Sequence, residues 1–214
     1  MAGVDPRKKL ELKRLELTDP RALRAVAHPL RLSLIGLLRR EGPLTATQAG
    51  ERLGESAQSC WFHLRQLAKY GLVEEAGRGN GRERPWKATA QFTSWPTVAS
   101  TPELAAAAEL FGSVVAERYF EALMRWLATK ASEPPAWQDA ADFGDTVLYV
   151  TAEELAELKR EVRAIVDGYV ERTPDRALRP PGARLVTFLH LAFPWDAFPL
   201  ERAPPDPPDP RREP

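Results

Sequence analysis

The chain has 214 residues, of which 43% are hydrophobic and 28% charged. That is an ordinary globular mix, long enough to bury one large core or two small ones without staples. Its single cysteine, Cys60, excludes an intrachain disulfide and points to a reducing compartment. No apolar run reaches the length of a membrane span, and the basic N-terminus lacks the apolar stretch of a secretory signal, so the expected location is the cytoplasm.

The formal net charge is zero, but the charges are unevenly placed. Residues 1–90 carry 17 Lys and Arg against 10 Asp and Glu; residues 91–214 carry 13 against 20. A basic first half suits a polyanion, while the acidic second half suits some other task. Arg outnumbers Lys 23 to 7, a ratio that compositional bias toward Arg, Ala and Pro accounts for without function.

Residues 6–17, with Leu10, Leu12, Leu15 and Leu17, predict a short lead-in helix. Asp19 caps the next helix, Pro20 takes its first position, and Leu23 and Val26 point inward. Pro29 opens a third, with apolar Leu34, Ile35, Leu37 and Leu38, which stops near Gly42 and Pro43. Thr45 with Gln48 reads as a capping box for a helix ending at Leu53 and Gly54. Ser56 caps a second helix, running to Lys69 and closing near Gly71, with Cys60, Leu64 and Leu67 as its buried stripe. Two short helices joined by a tight turn with glycine make a helix-turn-helix. Leu72–Ala76 and Trp86–Ala88 read as strands around the glycine-rich, arginine-rich turn GRGNGRERP, which is the pattern of a wing.

Residues 91–100 read as a linker. Thr101 and Pro102 start a long helix reaching about Lys130, apolar on more than one face and in need of partners on two sides. A polar, proline-containing stretch covers 132–145, and residues 146–150 (TVLYV) predict a strand. Thr151 and Glu154 form another capping box, heading an amphipathic helix with Leu155, Leu158, Val162, Ile165 and Tyr169 on one face. Residues 173–183 read as a loop, 184–193 (RLVTFLHLAF) as a covered strand, and 203–214 as a disordered, proline-rich tail.

With those elements placed, residues 20–90 resemble the winged-helix domain of ArsR-type transcriptional regulators, in the actinobacterial-type branch with an extra C-terminal domain. The resemblance rests on AHPLRLSLI at 27–35, on HLRQL at 63–67 within the helix from Ser56 to Leu67, and on GLVEE at 71–75, in that order and at fixed spacing. It implies a homodimer on a palindromic operator, usually a repressor. Metal-sensing members resemble one another by a Cys-x-Cys pair, whereas Cys60 stands alone here. Trp61 takes a place where such regulators hold a small polar residue.

In a helix-turn-helix the start of the second helix reaches base edges in the major groove. The candidate contacts to double-stranded DNA are therefore Ser56, Gln58, Ser59, Trp61 and His63, with Arg65 for phosphate and Arg78, Arg82 and Arg84 on the wing. Gln58 can pair with adenine. Trp61 reads equally as a groove contact or as packing, and Phe62 reads as packing. His28, His63 and His190 are too scattered to converge on zinc with Cys60, and no cofactor is expected. No phosphate loop, dinucleotide fingerprint, zinc-protease motif or nucleophile elbow is present, so an enzyme is not expected.

The expected architecture is α+β, mostly α. A winged helix-turn-helix spans residues 1–90, a helix-rich dimerisation and possible effector domain with two strands spans 91–202, and the tail spans 203–214. Phe111, Tyr119 and Trp126 read either as plain core or as a small-molecule effector pocket. A winged helix used for protein interaction within a larger complex is the alternative function, disfavoured by the arginines of the wing.

Overall fold

The computed structural model describes residues 13–77 and 84–194. Two compact units divide the chain, residues 1–179 and 180–214. The chain is α+β, mostly α, with a winged helix-turn-helix at its N-terminal end.

The first element is a strand, β1 (Arg14–Glu16), where a helix was expected; residues 6–12 of that expectation lie outside the described residues. Leu15 and Leu17 are two apart, and the side chains from Arg14 to Leu17 alternate between exposed and covered, which is the period of a strand. The partner strand comes from the expected linker. Phe92–Ser94 forms β4 and pairs in parallel with β1, Arg14 opposite Phe92 and Glu16 opposite Ser94.

Helices α1 (Pro20–Val26), α2 (Pro29–Glu41), α3 (Ala46–Leu53) and α4 (Ala57–Lys69) follow where the caps predict them. Asp19 Oδ1 accepts from the Arg21 amide at 2.8 Å, and Thr45 with Gln48 closes both halves of the capping box. Ser56 Oγ accepts from the Ser59 amide at 3.1 Å. The α3–α4 turn depends on two glycines. Gly54 adopts the left-handed conformation at φ +71°, which L side chains adopt at a cost. Gly50 has a different duty: a Cβ there would stand 2.5 Å from the Glu55 carbonyl oxygen, so the turn folds directly back on its bare backbone.

After α4, β2 (Val73–Glu75) and β3 (Trp86–Ala88) pair antiparallel, Val73 opposite Ala88 and Glu75 opposite Trp86. Leu44 exchanges two backbone hydrogen bonds with Trp86, tying the hairpin to the segment before α3. One core unites these pieces: Leu23, Val26, Leu34, Leu38, Cys60, Leu64, Leu67, Leu72, Val73 and Trp86 are all buried in it. Each such leucine contributes roughly 1.5–3 kcal/mol by leaving water.

Helix α5 (Pro102–Thr129), capped by Thr101, joins the same core through Leu104, Ala107 and Phe111, where its first turns pack on α1. Trp95 meets Phe111 edge to face at 4.7 Å. Leu110 on the same helix is exposed, as are Tyr119, Phe120, Met124 and Leu127 farther along. A 3₁₀ turn (Lys130–Ser132) and the short α6 (Pro135–Ala140) occupy part of the expected polar stretch. Helix α7 (Ala152–Val170) is headed by the Thr151–Glu154 capping box, and a further 3₁₀ turn covers Arg176–Leu178.

The two strands expected in the C-terminal half do not form. Among the described residues, 146–150 and 184–193 join no β-ladder and are exposed throughout. A strand needs a neighbour to receive its backbone bonds, and an apolar run alone does not supply one. Among the described residues no helix is long and apolar enough to cross a membrane.

Candidate nucleic-acid interface

The stripe Cys60, Leu64 and Leu67 is fully buried and fixes the rotation of α4. The opposite face is thereby turned outward. Ser56, Gln58, Trp61 and Arg65 are exposed, and Ser59 is partly covered beside Cys60. Trp61 is 53% exposed, and the Arg65 guanidinium carbon lies 5.8 Å from the centre of its ring. The two are one turn apart, so the indole supports the cation from below and narrows the directions in which it can reach. Phe62, read as packing, is half exposed and meets His63 edge to face at 5.3 Å.

His63 is partly buried and held from the side. Its Nδ1 accepts a hydrogen bond from Arg31 Nε at 3.1 Å, and its ring lies 4.5 Å from that of His28. Arg31 also donates to the Ala25 carbonyl. His28 in turn caps α2, its Nδ1 accepting from the Leu30 amide at 3.2 Å. Burial holds both imidazoles below their ordinary pKa, and the Arg31 charge pushes the same way, while Glu55 opposes it. With Nδ1 accepting, each neutral ring carries its proton on Nε2, so His63 retains one donor. Neither His28 nor Arg31 was among the sequence candidates. The cap was legible, since an acceptor side chain stood directly before a helix-opening proline. The Arg31–His63 bond spans 32 positions and leaves no local signal.

On the wing, Arg84 donates from Nη1 to Glu75 Oε2 at 2.6 Å across the hairpin, and Lys87 pairs with Glu74 at 3.1 Å. The hydrogen bond and charge of Glu75 raise the Arg84 pKa further, so it is always a cation. Arg78 and Arg82 lie outside the described residues. The structure therefore brings Ser56, Gln58, Ser59, Trp61, His63 and Arg65 together on one helix and places Arg84 on the adjoining hairpin.

Cys60 is buried, and burial raises its thiol pKa. Among the described residues no cluster of histidine, cysteine and carboxylate side chains could hold a metal ion. The three aromatic residues read as core or effector pocket lie in different surroundings. Phe111 is in the core, Tyr119 is exposed, and Trp126 lies under Lys130 at 5.2 Å, roughly 22 Å along the helix from Phe111.

A family described as a helix-turn-helix domain matches the chain over residues 26–76. A comparison with curated proteins finds no match. Solved structures similar to parts of the chain include two winged-helix or regulator proteins. One is the homodimeric winged helix-turn-helix DNA-binding domain of Mb0332 from Mycobacterium bovis, a possible ArsR-family regulator. It is 25% identical, covers 55% of this chain and 91% of its own, and gives a TM-score of 0.30. The other is apo MarR from E. coli, 16% identical, covering 70% and 88%, at 0.29. Both scores are too low to establish a common fold over those lengths. What the chain's own geometry and the matched family establish together is a helix-turn-helix domain with a wing, the DNA-binding fold of transcription regulators.

Proposed function

We propose that the chain is a sequence-specific transcriptional regulator of the ArsR type that acts as a homodimeric repressor in the cytoplasm. One observation carries this reading: the burial of Cys60, Leu64 and Leu67 aims Gln58, Trp61 and Arg65 outward from a single helix of the matched domain. Gln58 then reads an adenine edge, and Ser56, Ser59 and the free nitrogen of His63 contribute polar contacts. Arg65 and the wing arginines Arg78, Arg82 and Arg84 neutralise phosphates and enter the minor groove. The Arg84–Glu75 pair is exposed and yields to a phosphate without a large desolvation cost. A second copy covers the distal apolar residues of α5, which sets two recognition helices on half-sites about one helical turn apart.

The test is fluorescence anisotropy on DNA from the gene's own upstream region against scrambled DNA, across a salt series. Specific binding should exceed the scrambled control by about 10³ or more and weaken steeply with salt. Arg65→Ala should weaken binding on both DNAs, whereas Gln58→Ala should cost about 1–3 kcal/mol on the operator alone. Absence of binding at low salt would favour a protein-interaction role for the winged helix instead.

A further inference from the structure

We propose that Arg40 of α2 and Arg118 of α5 form a binding site for a small oxyanion, a carboxylate or a phosphate, at the junction of those two helices. The geometry is set by Gly36. A Cβ at that position would stand 3.1 Å from Arg40 Nη1 and 3.7 Å from Arg118 Nη2. Two guanidiniums from separate helices thus converge over one bare patch of α2 backbone. No ion pair among the described residues includes either of them.

The surroundings add to the imbalance. Arg39, the neighbour of Arg40, is partly buried, and its hydrogen bonds go to neutral oxygens: the Ala90 carbonyl at 2.9 Å and Thr93 Oγ1 at 2.7 Å. Burial pushes its pKa down to about 10. Burial also lowers that of Arg118; Tyr119 opposes the shift, and Arg40 and Arg125 reinforce it. Arg125 has a loose carboxylate partner, Glu121 at 3.8 Å. Partly buried like charges without a counter-charge are costly, and an oxyanion that accepts from both forks removes the cost.

The position gives the site a consequence. Arg118 lies two helical turns beyond Phe111, the last residue of α5 that the core buries. Repulsion between Arg40 and Arg118 loosens α5 beyond that anchor, and a bound anion clamps it to α2. If α5 joins two copies, as the reading above holds, its direction sets the separation of the recognition helices. An oxyanion then changes DNA affinity by its differential affinity for the two arrangements.

The test is calorimetric titration of the full chain with inorganic phosphate and, separately, with benzoate, at constant ionic strength. One of the two should bind saturably at one per chain, which tells phosphate chemistry from carboxylate chemistry. Arg40→Ala and Arg118→Ala should each weaken it at least tenfold, and Arg65→Ala should not. Gly36→Ala is the second variant: it fills the space between the guanidiniums while favouring the helix, so binding should weaken with no loss of thermal stability. Binding that survives Arg40→Ala and Arg118→Ala, binding lost equally in Arg65→Ala, or no binding of either anion would each overturn the site. Loss of dimerisation in Arg118→Ala without anion binding would overturn it too, by assigning the cluster to a partner's carboxylate. None of these titrations contains DNA, so the site and the regulator reading fail separately.

Discussion

The side chain of His63 on the recognition helix α4 is bonded through Nδ1 to Arg31 on α2, 3.1 Å away, with the His28 ring 4.5 Å from its own. The recognition helix is therefore tied to α2 by more than its apolar stripe. The tie exists only while the imidazoles are neutral, because a protonated Nδ1 cannot accept a hydrogen bond.

That tie predicts a pH dependence. Both folded-state pKa values are depressed below the ordinary imidazole value of about 6.5, so the unfolded chain binds protons more readily. The contribution to stability is complete above about pH 6.5 and is lost as the pH falls from there through the depressed folded values. Melting temperatures measured from pH 8 to pH 5 should therefore fall on the acid side. The double variant His28→Asn, His63→Gln should flatten that fall, since Asn keeps the helix cap without titrating. An unchanged slope in the double variant would assign the acid sensitivity to carboxylates elsewhere.

Gly50 is predicted to be indispensable. A methyl group there meets the Glu55 carbonyl at 2.5 Å, and backbone cannot step aside as a flexible side chain does. The turn must shift, and α4 shifts with it. Gly50→Ala gains helix propensity of about 1 kcal/mol, yet overpacking costs about 1–3 kcal/mol, so the net effect is a lower melting temperature. Operator affinity should fall further than stability, because the same displacement moves Gln58, Trp61 and Arg65. A variant with wild-type melting and wild-type binding would show that the turn tolerates a side chain.

The contrast between the two halves of the chain shows what a sequence signal carries. From Asp19 to Lys69 each helix start was marked by a local cap or a helix-opening proline, and Asp19, Thr45, Gln48, Ser56 and Gly54 perform the roles their types suggest. Cys60, Leu64 and Leu67 were legible because a four- and three-residue spacing admits one inward face. The misses share a cause, dependence on a distant partner. β1 exists because Phe92–Ser94 lies beside it, and Leu15 with Leu17 fits a helix equally well until that partner is known. Residues 146–150 have the composition of a strand but no strand partner among the described residues. Arg31 with His63, and Arg40 with Arg118, join positions far apart in the chain, so no local pattern points to them.

Cys60 is predicted to act as a core residue and not as a sensor. Its side chain is fully buried, and burial raises the thiol pKa, so the reactive thiolate is scarce. Labelling by an aromatic disulfide reagent should be at least about 100-fold slower in the native protein than in denaturant. Cys60→Ser should lose about 1 kcal/mol, since its hydroxyl can bond back to the preceding helical turn but must leave water to do so. Rapid labelling of the native protein would instead mean that α4 opens readily, and would favour a thiol switch at Cys60.

The proposed dimer makes the last prediction. Phe120, Met124 and Leu127 recur at four- and three-residue spacing on α5, beyond the segment that Leu104, Ala107 and Phe111 anchor in the core. All three are exposed, Phe120 to 63%. A stripe of this kind is costly in water and gains by meeting a second apolar surface, and two copies of one helix supply it with twofold symmetry. Phe120→Glu with Met124→Glu places two charges in that seam and should convert the protein to a monomer in sedimentation velocity, with the melting temperature of the winged-helix core little changed. Because the proposed operator carries two half-sites, DNA affinity should drop by roughly 10²-fold or more, as joint binding gives way to single contacts. A variant that sediments as a dimer would move the interface away from this stripe. A monomeric variant with undiminished DNA affinity would remove the dimer from the mechanism altogether, since one recognition helix and its wing would then supply the whole of the binding.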